Sequence, residues 1–232
     1  MSNFSPPNRR SFLFASGAGV ALAGAAVAMR ANSKEPSLAL DAYRPEYFNA
    51  DEWAFVLAAT ARLIPSDGEG PGAIEAHVPV FIDRQLKGYY GTAEIWYMDG
   101  PHDPAATPDR GWQSPLNPAQ LYRKAIPAFN AACTERFGKE FRSLTAEQQD
   151  EALTALQKGE IRLEPELSFF FATLLANTKE GYFADPVHGG NYGMQSWKYI
   201  GFPGARASYA EWVDQHNVKY PLGPVSIKGE RA

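Results

Sequence analysis

Leu167, Phe170, Phe171, Leu174, Leu175 and Thr178 recur along "EPELSFFFATLLANTKEG" at the spacing i, i+3, i+4, i+7, i+8. A chain with 3.6 residues per turn gathers such positions into one stripe, whereas an extended strand would send them to both faces. The stretch is predicted as a core helix, with Pro165 near its start and Gly181 as its terminator. The same period returns in four other places. Trp53, Val56, Leu57, Thr60 and Ile64 follow Asn49, Asp51 and Glu52, which suit the positive end of a helix, and Pro65 stops the run. Ile74, Val78, Phe81, Ile82 and Leu86 share a face that ends at Gly88, and Pro79 marks a late start or a kink. Asn117-Pro118 reads as a cap and first helical residue ahead of Leu121, Ala125, Phe129 and Ala132, with Pro127 placed to bend that helix. Thr145 with Gln148 forms a capping-box signature before Ala152, Leu153 and Leu156, closed by Gly159.

A short capped helix carrying Trp212 is expected from Ser208 and Glu211, and Pro221, Gly223 and Pro224 mark the end as an extended tail. No alternating strand of useful length and no internal repeat appears. The fold class is therefore all-α, a single small helical domain over residues 48–232 with long ordered loops. The chain's 232 residues, 45% of them hydrophobic, suffice for a real core. Residues 29–47, polar and broken by prolines, read as an extended lead-in that only the body of the fold or a partner would pin. Two segments lack any sustained period: 89–115, rich in Gly, Pro, Asp, Tyr and Trp, and 180–206, "EGYFADPVHGGNYGMQSWKYIGFPGAR". Loops of that length usually serve a purpose.

The first thirty residues follow the grammar of a signal peptide. A polar start leads to Arg9-Arg10, then to an apolar Ala/Gly-rich segment from Phe12 to Met29. Arg9, Arg10, Ser11, Phe12 and Leu13 match the core of the twin-arginine export consensus, with Asn8 and Phe14 departing at its two ends. Gly17, Gly19 and Gly24 keep the segment only mildly hydrophobic, and "AVA" at 26–28 offers a cleavage site, so residues 1–28 are assigned as a Tat signal peptide. The competing reading is an uncleaved membrane anchor, since about 20 apolar residues span a bilayer. Loss of residues 1–28 removes two arginines and no acids, taking the formal net charge from −4 to −6. An acidic chain without a basic run is not built for nucleic acid.

Twin-arginine export carries folded proteins, typically because they or a partner acquire a cofactor first. No cofactor site is legible here. The chain lacks C-x-x-C-H and any cysteine cluster, and its four histidines, at 77, 102, 188 and 216, are widely spread. "GEGPGA" at 68–73 lacks dinucleotide-fingerprint spacing. His188 and Asp185 could act as a base and its orienting carboxylate, but no nucleophile lies near them in sequence, and a local turn contact is the plainer reading. No catalytic, cofactor-binding or metal-ligating residue is assigned.

Glycines at 181, 189, 190, 193, 201 and 204 let backbone lie flat against a surface, and Tyr182, Phe183, Tyr192, Trp197, Tyr199 and Phe202 supply stiff contact area beside Arg206. Aromatic residues and arginine enrich interface centres, so Tyr182, Phe183, Tyr192, Trp197, Phe202 and Arg206 are the candidate partner-binding set. The alternative is that some of these rings close the helix bundle. Cys133, unpaired, is either interior or joined to another chain by an intersubunit disulfide.

Together "NPAQLYRKAIPAF", "RFGKEF", "FFATLLANTKEGYFADPVHGGN" and "SWKYIGFPGAR", behind the twin-arginine leader, resemble the gluconate 2-dehydrogenase small-subunit family, also called subunit 3 or gamma. The resemblance covers nearly the whole mature chain, with Tyr192 a departure where the family carries a charged residue after GGN. It implies an accessory subunit of a periplasmic, membrane-attached dehydrogenase for a sugar, polyol or sugar acid. It further implies a large partner that is an FAD-bearing flavoprotein of the glucose-methanol-choline (GMC) type, and a multihaem cytochrome c as a third subunit. By the same resemblance the small subunit holds no redox centre, and its signal takes the flavoprotein through the Tat translocase. The leader would then serve the complex. Which substrate is oxidised would be set in the partner's pocket.

Overall fold

A computed structural model describes residues 40–103 and 105–232. The leader, with Arg9, Arg10, Phe12 and Leu13, and the lead-in up to residue 39 lie outside the described residues. Among those described there are α-helices, 3-10 turns and no strand, only isolated bridges that join Gly204 to Val225 and Val225 to Arg231.

Helix α1, Ala50–Leu63, opens on a capping box in which the Asn49 side chain accepts from the Glu52 amide and the Glu52 carboxylate from the Asn49 amide, both at 3.0 Å. Its buried arc is Glu52, Phe55, Val56, Ala59 and Thr60, while the predicted Trp53 and Leu57 are only half-buried. The stripe is rotated and widened because α1 is central, contacted from several sides by the helices described below. Helix α2, Val78–Lys87, starts late, as Pro79 allowed: His77 enters it in the left-handed region at φ 55°, and Pro79 falls in the first turn, where no amide is needed. Ile74 is thereby left in the preceding turn. The segment expected to be irregular from Tyr89 begins with one helical turn, α3, Tyr89–Thr92. It folds back against the end of α2 closely enough that a Cβ on Gly91 would collide with the Leu86 backbone.

Helix α4, Pro118–Phe137, is capped by Asn117 with Gln120, runs through Pro127 and ends at Gly138 with φ 78°. Helix α5, Ala146–Gln157, carries the expected Thr145–Gln148 box. Helix α6, Phe170–Phe183, does not stop at Gly181. That glycine is there for close packing: a Cβ would lie 2.8 Å from the buried Phe81 ring of α2. Helix α7, Gln195–Ile200, gives the predicted irregular segment one short element.

The core is built around Phe55 of α1, whose ring meets Phe141 at 5.1 Å, Phe129 at 6.0 Å and Phe170 at 6.1 Å. Tyr122 stands edge-on to Phe170 at 5.5 Å and donates to Asn177 Oδ1 at 3.0 Å, so α4 and α6 are joined by a satisfied polar contact inside the apolar mass. Each fully buried Phe contributes about 2–3 kcal/mol through the water it sheds.

The final residues of the lead-in are held by one side chain. Asp83 of α2, fully buried, accepts from Tyr43 Oη at 2.7 Å and from the amides of Glu46, Tyr47 and Phe48 at 2.8, 3.0 and 3.0 Å. Burial, then the hydrogen bond and charge of Asp83, push the Tyr43 hydroxyl well above its usual pKa. Arg123 of α4 completes this corner, pairing with the buried Glu52 carboxylate, donating to Tyr47 O and lying 4.4 Å above the Tyr47 ring.

Candidate functional site: an exposed aromatic ledge

Between α6 and α7 the chain forms only short 3-10 turns, its backbone fastened at several points by short polar side chains. Asp185 turns the chain: Oδ1 accepts from Val187 N at 3.1 Å, forming the Pro186–His188 turn, and Oδ2 accepts from Ile227 N of the C-terminal tail at 2.7 Å. Asn191, fully buried at φ 44°, donates to Ala184 O at 3.0 Å and accepts from Ser196 N at 3.0 Å, linking the end of α6 to the start of α7. Gly190 lies so close to the Gly181 carbonyl that no Cβ would fit. Tyr192 donates its amide to Ala76 O at 3.1 Å, and its ring stacks on His77 at 4.2 Å and 9°. Burial holds the His77 imidazole below its usual pKa.

The rings expected to face a partner divide into two groups. Tyr182 and Trp197 are 6% and 5% exposed, and each closes the fold, Tyr182 Oη donating to Pro71 O and Trp197 Nε1 to Phe183 O, both at 2.8 Å. Phe183, Tyr192 and Phe202 remain 36–47% exposed, and Tyr199 and Ile200 beside them exceed half. Ile200 carried no signal beyond its place in an aromatic run. Arg206 is directed inward at the chain itself: it donates to Gly223 O, and its guanidinium lies 5.6 Å over the Tyr220 ring. Its charged head thus fastens the C-terminal excursion where Gly204 meets Val225.

The remaining candidates are placed as follows. The His188 side chain is exposed, and both Asp185 oxygens accept from backbone amides, so the two residues do not form an imidazole–carboxylate pair. Their contact is the turn itself, His188 N donating to Asp185 O at 3.0 Å. Cys133 is fully enclosed within α4, and burial pushes its thiol up to about 12. Its side chain is enclosed by the chain's own residues. Among the described residues no three His, Cys, Asp or Glu side chains group to hold a metal ion.

What the arrangement can do is present area. From Phe183 to Phe202 a braced run of short 3-10 turns and helix α7 carries apolar side chains into solvent. Exposed contiguous apolar surface on a folded chain marks contact with something else. The family profile described as "Gluconate 2-dehydrogenase subunit 3" matches residues 50–204, from the first turn of α1 to the glycine at the C-terminal bridge. No curated protein and no solved structure matches the chain.

Proposed function

The chain belongs to the gluconate 2-dehydrogenase subunit 3 family, and on that premise we propose that it is the non-catalytic small subunit of a periplasmic, membrane-associated, FAD-dependent sugar or sugar-acid dehydrogenase. In this reading it binds the flavoprotein subunit, and its leader, with Arg9, Arg10, Phe12 and Leu13, takes the folded pair through the Tat translocase. FAD belongs to the partner and haem c to a third, cytochrome subunit. The observation that carries the proposal is the family match over residues 50–204, and the exposed ledge from Phe183 to Phe202 supports a docking role.

A self-sufficient enzyme built on His188 and Asp185 would need a carboxylate able to orient the imidazole. Asp185 accepts from Val187 N and Ile227 N instead, which speaks for the accessory role. The deciding experiment replaces Arg9 and Arg10 by lysine in cells that make both subunits, and follows the flavoprotein by fractionation. Both chains are expected to remain in the cytoplasm. A flavoprotein that still reaches the periplasm would end the escort reading.

A further inference from the structure

We propose that the cleft lined by Trp96, Tyr97 and Trp112 binds a neutral pyranose sugar. The cleft has a volume of about 650 Å³, room for a mono- or disaccharide, and is lined by two indoles, Tyr97, Asp99, His102 and Arg110. Its aromatic wall is braced from behind. Trp112 Nε1 donates to Leu116 O at 2.9 Å, and its ring packs at 5.5 Å against both Phe169 and Trp96, which in turn stands edge-on to Tyr90 at 5.5 Å. Gln113 ties the two sides of the segment together, accepting from Asp103 N at 3.2 Å and donating to Arg110 O at 3.0 Å. A wall made this way is rigid before any ligand arrives, which lowers the entropy lost on binding.

The polar side chains at the mouth are in a different state. Among the described residues, the carboxylate of Asp99, the imidazole of His102 and the guanidinium of Arg110 make no hydrogen bond or ion pair with the protein, so their donors and acceptors face water and are available. Flat aromatic faces suit the C–H face of a pyranose ring. A carboxylate and a guanidinium suit its adjacent hydroxyls, the first accepting and the second donating in a planar fork. Because one carboxylate offsets one guanidinium, the cleft favours neither a sugar acid nor a quaternary ammonium ion over a neutral ring. The inference does not depend on the export role, since it concerns this chain alone.

The test is saturation-transfer NMR on the purified full chain with methyl β-glucopyranoside, methyl β-galactopyranoside, gluconate and choline as probes. Saturable transfer to a neutral pyranoside at millimolar concentration is expected, with affinity reduced about tenfold by Tyr97→Ala and again by Asp99→Asn. Tyr97 is 82% exposed and Asp99 also lies at the surface, so both variants should keep the wild-type circular dichroism; Trp96→Ala is the harsher companion. Absence of transfer to either pyranoside, transfer unchanged in Tyr97→Ala and Asp99→Asn, or transfer to gluconate or choline alone would each overturn the assignment.

Discussion

At the scale of single residues, Asp83 and Cys133 illustrate two opposite uses of burial. Asp83 is a charged acceptor whose four donors all come from residues 43–48, so Asp83→Asn would set an amide N–H₂ against backbone N–H groups. A loss of about 3 kcal/mol in urea denaturation is expected, accompanied by a change in Trp53 fluorescence, because the Tyr43 ring lies 5.4 Å from that indole. Cys133 is buried with no partner, and its folded-state thiol is raised to about 12. A raised acid pKa means that the unfolded thiol ionises first as pH climbs, so stability supplied by the neutral thiol is present below about pH 8.5 and drains away towards pH 12. Native protein at pH 8 should not react with a thiol-specific chromogen, should react fully in urea, and should migrate as a single chain on non-reducing gels. The raised pKa follows from enclosure, which the composition of the helix suggested. Asp83 was not legible, since a carboxylate beside Ile82 reads equally well as the solvent edge of an amphipathic helix.

At the scale of elements, caps were readable and packing distances were not. Asn49, Asn117 and Thr145 each sit ahead of their helix with Glu or Gln three residues on, a local pattern that needs no tertiary information. Gly181 read as a terminator because glycine commonly stops helices, yet α6 continues for two more residues, and the glycine instead admits Phe81 on one side and Gly190 on the other. Gly190→Ala should therefore be the worse change, because its Cβ meets the Gly181 backbone, which cannot swing away. A loss of about 3 kcal/mol or failure to fold is expected for it, against about 1–2 kcal/mol for Gly181→Ala, where better helix propensity offsets part of the clash with Phe81. Thermal melts of the two variants side by side decide the order. A reversed order would place the closest approach elsewhere. The Arg62–Asp150 fork between α1 and α5, at 2.6–2.7 Å, is largely exposed and lowers the Asp150 carboxyl, so whatever it adds is present above the ordinary carboxylate range and lost as pH falls below it.

At the scale of the whole molecule, the division of the aromatic segment into interior and exterior rings decides where a partner would dock. Trp197 and Tyr182 hold the ledge in place, and Phe183, Tyr199, Ile200 and Phe202 face outward. Ile200→Asp together with Phe202→Ser should leave the melting temperature of the isolated chain nearly unchanged while weakening its association with the flavoprotein by about 2 kcal/mol, roughly thirtyfold. Surface plasmon resonance against the flavoprotein would show it; unchanged affinity would move the interface off the ledge. Trp197→Ala should act differently, lowering stability and affinity together, because that ring supports the fold through Phe183 O.

The sequence by itself determined the five longer helices, three of their caps and the family, because each of these is written in residues a few positions apart and in the periodicity of a single helix, whereas the short helices α3 and α7 carry no such period. Only the tertiary structure decided which rings face inward, that Gly181 admits a neighbour rather than ending α6, that Arg206 fastens the tail, and that Asp83 binds the lead-in. Those outcomes depend on contacts between residues 14 to 111 positions apart, as the Trp197–Phe183 and Tyr182–Pro71 hydrogen bonds show. Distance of that kind leaves no local trace, since the free energy of burying a ring or satisfying a carboxylate is set by what the rest of the chain brings to it.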